Sequence, residues 1–159
     1  MQISRSRCLS RRGRRRLRAC WPVSGSMSGD RVTYLDSSAL VKLAVEEPES
    51  PALRRYLRRR RPVVTSALAR TEVARALLPL GLLALKRGHD VLRRVELAKV
   101  SNRVLAAAGT LLPTELRSLD AIHLATAQQF GADLARIVTY DERMASAAEA
   151  LGWPVAAPA

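Results

Sequence analysis

Three short runs of β-branched and aliphatic residues, each ending in a polar residue and passing straight into a segment of helical spacing, constrain this chain more than any other feature. VTYL (32–35) runs into Asp36 and then SSALVKLAVEE. PVVTS (62–66) runs into SALARTEVARALLPLG (66–81), and ARIVTYD (135–141) runs into ERMASAAEALG. Between them the spacing predicts helices over SPALRRYLRRRR (50–61), with Ser50 as cap and Pro51 at the first helical position, from 84 to about 94, over SNRVLAAAGTLL, and over LRSLDAIHLATAQQFG (116–131). A strand is predicted near ELAKV and an edge strand at WPVAAP. Strands that alternate with helices form a parallel sheet covered on both faces, here an α/β fold with an α/β/α three-layer sandwich and four to five central strands. With aromatics at only 4%, its core must be built from Leu, Val and Ala.

In an open parallel sheet, ligands bind where the carboxyl ends of the strands meet the helix N-termini. Asp36 and Asp141 lie at such ends, Asp120 opens the otherwise apolar SLDAIHLATA, and Glu72 lies in the first half of the helix that follows the second strand. Each acid alone has an ordinary explanation: Asp36 and Asp120 as helix caps, Asp141 as a turn residue, Glu72 as a solvated helix acid. Together they are less comfortable, because carboxylates held within several ångströms repel and raise one another's pKa. A divalent cation removes that conflict. An all-oxygen set with no Cys or His cluster favours Mg²⁺ or Mn²⁺ over zinc.

The net charge of +13 suggests a nucleic-acid partner until it is located. Residues 1–26 hold eight of the 27 Lys and Arg and no acid, so residues 27–159 carry nineteen against fourteen, or +5. The Arg-rich stretch 1–26 reads as a basic arm, as an extension without a role, or as a misassigned start upstream of Met27. It lacks the apolar run of a secretory signal, which predicts a cytoplasmic protein. ALLPLGLLAL (76–85), interrupted by Pro79 and Gly81, is too short to span a bilayer, so no membrane anchor is expected. Both cysteines, Cys8 and Cys20, fall before Met27, which leaves residues 27–159 as a domain without a thiol.

YLDSSALVKL, TEVARAL, RSLDAIHLATA and IVTYDERM resemble, in order and spacing, the four acidic motifs of PIN-domain ribonucleases, specifically the VapC-type toxins of bacterial toxin–antitoxin pairs. The resemblance spans residues 30–157 and implies a Mg²⁺-dependent endoribonuclease whose catalytic and metal-holding acids are Asp36, Glu72, Asp120 and Asp141. It places supporting hydroxyls at Ser38 and Thr139. Arg117 either contacts the scissile phosphate or orients the neighbouring acids, and His123 is expected to be a hydrogen-bonded structural histidine. The implied partners are an RNA substrate, a cognate antitoxin protein and a second copy of the chain. For the apolar stretch Leu77 to Leu85, an antitoxin contact, a homodimer interface and an ordinary core role all stand.

The chemistry agrees with this layout. Hydrolysis of an RNA phosphodiester needs an activated water, neutralised nonbridging oxygens and a stabilised leaving oxygen, all of which one or two Mg²⁺ ions can supply without a Ser or Cys nucleophile. A two-component receiver domain shares the layered sheet, but it needs a Lys at the end of the last strand, and Lys42, Lys86 and Lys99 do not fit. A nucleic-acid-binding module that keeps the fold without cutting, using residues such as Arg58 to Arg61, is the alternative reading.

Overall fold

The structure, a computed structural model, describes residues 31–159, so the expectations for the Arg-rich stretch 1–26 and its two cysteines lie outside the described residues. Five parallel strands form one sheet in the order β3-β2-β1-β4-β5: β1 (Val32–Leu35), β2 (Val63–Ser66), β3 (Glu96–Ala98), β4 (Leu134–Val138) and β5 (Val155–Ala156). From central β1 the chain moves outward to β2 and β3 on one side, then returns to β4 and β5 on the other. The reversal of strand order at β1 makes its carboxyl end the switch point at which an open α/β sheet holds ligands. Asp36 sits there.

Alternation within the strands divides the core into two layers. Leu35 and Val138 face α1 (Ser37–Ala44), α2 (Ser50–Leu57), α3 (Ala69–Leu77) and α4 (Leu82–Leu92), where Leu40, Leu53, Leu57, Val73 and Leu77 are buried. Tyr34 and Ile137, one residue earlier in each strand, face α6 (Ser118–Gln128) and α7 (Glu142–Ala150), packing with Leu124, Ala127 and Met144. α5 (Asn102–Ala108) lies against α6. The sandwich is therefore three layers, and its core is Leu, Val and Ala with few aromatics.

Several boundaries differ from the sequence expectation. α2 stops at Leu57 rather than Arg61, because Pro62 disfavours helical backbone in the residue before it and four consecutive arginines add repulsion. Ser50 does not cap α2: its hydroxyl donates to the Lys42 carbonyl at 2.7 Å and accepts from the Glu47 N–H at 2.9 Å, tying α2 back to α1. β4 ends at Val138, and Asp141 becomes the cap of α7. The apolar stretch 77–85 is split. Leu77 and Ala84 enter the core, whereas Leu78, Leu80, Leu82 and Leu83 project outward, with Leu82 85% exposed. No helix among the described residues is long and apolar enough to cross a membrane.

The leucine tip is the turn between α3 and α4, which pack closely because Gly88 has no side chain. A Cβ there would collide with Leu77 Cδ1 and lie 3.1 Å from Val73 Cγ1. Ala would recover about 1 kcal/mol of helix propensity, roughly offsetting the displacement of Leu77. A β-branched residue has no such recovery. Gly88→Val is expected to cost about 1–3 kcal/mol and Gly88→Ala little, as read by thermal unfolding of the two variants.

Candidate active site

The carboxyl end of β1 and the segment after β4 are stitched together by two hydroxyls. Asp36 is buried, and its Oδ1 accepts the Ala39 N–H at 3.0 Å, so it caps α1 as the bland reading requires. The cap occupies only part of its capacity. Thr139 Oγ1 donates to Oδ2 at 2.8 Å, and Ser38 Oγ donates to the same carboxylate, lying 2.7 and 2.9 Å from its two oxygens. Each hydroxyl in turn accepts a backbone N–H from the loop beyond β4: Ser38 from Tyr140 at 2.9 Å, Thr139 from Asp141 at 3.1 Å. Asp36, Ser38, Thr139 and Asp141 therefore form one connected unit.

Asp141 caps α7 with Oδ1, which accepts from the N–H groups of Arg143 and Met144 at 2.9 and 3.0 Å. Asp120 lies inside the first turn of α6 rather than at its cap, a position held by the backbone of Arg117. Asp120 Oδ2 is buried and has no hydrogen-bond partner. Arg117 is exposed and makes no side-chain hydrogen bond among the described residues; its charge acts on Asp120 only through space.

Glu72 stands apart from this unit. It opens α3 after β2, and its Oε2 receives two hydrogen bonds, from Ser37 Oγ at 2.5 Å and from His123 Nε2 at 2.6 Å. His123 Nδ1 lies 2.8 Å from the Tyr34 hydroxyl. An open cavity of about 430 Å³ lies beside Glu72, lined also by Ser37, Ser38, Lys42, Ala76 and Tyr140 among others. A larger cavity, about 540 Å³, lies between α5 and α6 and includes none of the four acids.

The electrostatics distinguish the acids. Burial raises the Asp36 carboxyl even though Ala39, Ser38 and Thr139 all hydrogen-bond its ionised form. Burial and then the charge of Asp141 raise Asp120, against the pull of Arg117, His123 and Arg143. For Glu72 burial acts upward, but the hydrogen bonds from His123 and Ser37 outweigh it and hold the carboxyl below its ordinary value. Burial at Asp36 and Asp120 thus outweighs the hydrogen bonds and positive charges around them, and the acids beside them, Asp141 and Glu72, offer only oxygen. That chemistry fits a hard divalent cation. In this arrangement, however, no three His, Cys, Asp or Glu side chains among the described residues are gathered so as to hold a metal ion.

Sequence reasoning passed over Ser37 and Tyr34. The family resemblance pointed to Ser38 beside Asp36, whereas Ser37 faces the other way, toward Glu72. The signal for Tyr34 is its period-two relation to Asp36 in a strand, which puts a lone phenol on the α6 side of the sheet.

The sequence model of the PIN domain family matches residues 33–150. Ribonuclease VapC46 of Mycobacterium tuberculosis is 64% identical over 125 residues, covering 79% of this chain and 96% of that protein. Ribonuclease VapC35 of the same organism is 43% identical over 129 residues, with the same coverage of each. Among solved structures, a toxin–antitoxin complex from Klebsiella pneumoniae superposes with a TM-score of 0.62 at 22% identity, over 80% of this chain and 98% of that one. Mycobacterium tuberculosis VapC20, a sarcin-ricin loop cleaving toxin, gives a TM-score of 0.62 at 18% identity over 72% and 94% of the two chains. At these identities the structural likeness speaks for the fold.

Proposed function

Because this chain belongs to the PIN domain family and, within it, to the VapC ribonucleases, we propose that it is a cytoplasmic endoribonuclease that hydrolyses RNA phosphodiester bonds with Mg²⁺, as the toxin of a toxin–antitoxin pair. The observation that carries the reading is the set of carboxyls at the sheet's switch point: a buried Asp36 whose hydrogen bonds do not outweigh its burial, and an unpartnered buried Asp120 Oδ2 that feels the charge of Asp141.

A bound divalent cation supplies water activation and neutralises charge on the phosphate. The chain's own residues prepare the place for it. Asp36, Asp120, Asp141 and Glu72 are the proposed holders of the ion. Ser38 and Thr139 fix the rotamer of Asp36 and, through their bonds to the Tyr140 and Asp141 N–H groups, the distance between the ends of β1 and β4. Bare carboxylates repel one another, and a cation held by these acids would relieve that repulsion. Arg117, exposed at the start of α6, is proposed to meet the RNA phosphate from outside the cluster. Residues 27–159 are proposed as the nuclease domain, with 1–26 an extension outside it.

The direct test is cleavage of a mixed RNA pool by the purified protein with added Mg²⁺ or with EDTA. Fragments that form with Mg²⁺ and vanish in EDTA are expected. Tight RNA binding without cleavage under either condition would favour the non-catalytic module instead, and cleavage undiminished by EDTA would remove the metal.

A further inference from the structure

Glu72 differs from Asp36 and Asp120 in that protein groups already meet its charge, and those groups form a buried line leading back into the core. Tyr34 is fully buried and His123 is 2% exposed. Their rings meet edge to face with centroids 6.0 Å apart. The hydroxyl of Tyr34 lies 2.8 Å from Nδ1, and Nε2 lies 2.6 Å from Glu72 Oε2, the oxygen on which Ser37 also converges. Tyr34 precedes Asp36 by two residues, and His123 follows Asp120 by three. The line therefore joins the three elements that bear Asp36, Glu72 and Asp120.

We infer that Tyr34 and His123 are positioning residues that orient Glu72, fixing Oε2 through the imidazole so that Oε1 is presented to the cation. The inference rests on the reading of Glu72 as a metal-holding acid. An ionised carboxylate only accepts hydrogen bonds, so Nε2 must carry the proton that points at Oε2. Nδ1 is then either bare, accepting from the phenol, or protonated, donating to the phenol oxygen; a tyrosine hydroxyl serves both. The orientation of the Nε2–H is the same in either case. No hydrogen bond reaches Oε1 among the described residues, so the line directs one oxygen and leaves the other open. A histidine kept for packing alone needs neither the 2.6 Å contact nor a second donor on the same oxygen.

Two substitutions separate these roles. In His123→Gln the amide reaches the place of Nε2 and can still donate to Glu72; in His123→Asn it reaches only the place of Nδ1, toward Tyr34. The full chain has just two histidines, so the ¹⁵N imidazole signals of metal-free protein are assigned by the one that His123→Asn removes. A proton on Nε2 and a shift of that signal in Glu72→Gln are expected; a ring bare at Nε2 overturns the inference whatever the metal does. Mn²⁺ binding, followed by electron paramagnetic resonance, is expected to weaken about 10–100-fold in His123→Asn and only slightly in His123→Gln, although both lower the melting temperature. Equal Mn²⁺ affinity in all three proteins, or equal loss in both variants, overturns it. A parent protein that shows the ¹⁵N signature but binds no Mn²⁺ would instead remove the ligand reading of Glu72, and this role of His123 with it.

Discussion

Asp36→Asn and Asp120→Asn are each expected to lower RNA cleavage about 10³-fold or more, on the order of 4 kcal/mol of transition-state stabilisation, while the protein remains folded. The two substitutions reach that result from different starting points. At Asp36 the amide keeps an oxygen for the Ala39 cap but turns an N–H toward the Thr139 hydroxyl, which now donates to the carboxylate. The lost hydrogen bond and the relieved burial of a charge are of similar size, roughly 1–3 kcal/mol each, so stability changes little. At Asp120 no hydrogen bond is lost, because Oδ2 has no partner, and the repulsion from Asp141 disappears.

The pH dependence follows from the direction of each shift. A carboxyl whose folded pKa is raised carries its penalty above that pKa and sheds it as the pH falls below the ordinary range. Metal-free Asp120→Asn should therefore melt slightly above the parent at neutral pH, with the gap closing in acid. Glu72 is shifted the other way, so its charge stabilises the fold above the ordinary carboxyl range and that gain is lost on acidification. Glu72→Gln should melt below the parent at neutral pH and converge with it in acid. Near-normal cleavage by both purified aspartate variants would remove the metal-site reading. Identical melting profiles for Asp120→Asn and Glu72→Gln would mean that the two carboxyls do not differ as described.

The positions of Asp36 and Asp141 were legible because each sits at a handover from strand to helix, where chain direction alone sends a residue to the carboxyl edge of a parallel sheet. Glu72 lies in the first turn of the helix that follows β2, and Asp120, on a helix that follows another helix, was legible from its motif RSLDAIHLATA rather than from chain direction. Ser38 and Thr139 came from the family resemblance, which places a hydroxyl two residues after the first acid and another two before the last. The direction in which Glu72 turns was not legible. A helix position specifies a face, but the partner of that face is set by which strand lies beside which, and the order β3-β2-β1-β4-β5 is a long-range property. That order brings His123 of α6 to Glu72 of α3, 51 positions apart in sequence. The stretch 77–85 was ambiguous for another reason. Uniform hydrophobicity carries no period, so the sequence did not tell Leu77, which enters the core, from Leu78 beside it, which does not.

Those outward leucines bear on how such an enzyme is restrained. An active ribonuclease damages its own cell, so expression of this chain alone is expected to arrest growth. Co-expression with the product of the neighbouring gene, the proposed antitoxin, should restore it. Leu78, Leu80, Leu82 and Leu83 are 53%, 61%, 85% and 63% exposed at the turn between α3 and α4, and an outward apolar cluster of this kind marks an interaction surface, for the antitoxin or for a second copy of the chain. From the end of α3 at Leu77 back to Glu72 is five residues, about 7.5 Å of helix, and the cavity lined by Ala76, Glu72, Ser37 and Ser38 lies beside that stretch. A partner segment with apolar side chains on the leucines and an Arg or Lys reaching the acids would cover both, its cation competing with the metal for the same carboxylates. Replacing Leu82 and Leu83 together by Glu leaves every proposed catalytic residue in place. The double variant should therefore still arrest growth, but its affinity for the antitoxin should fall at least about 100-fold, the scale of a lost interface hot spot, and co-expression should no longer rescue the cells. If the antitoxin suppresses it as well as it suppresses the parent, the leucine tip is not the docking surface. If the parent is harmless when expressed alone and no neighbour product binds it, the toxin assignment fails even where metal-dependent cleavage survives.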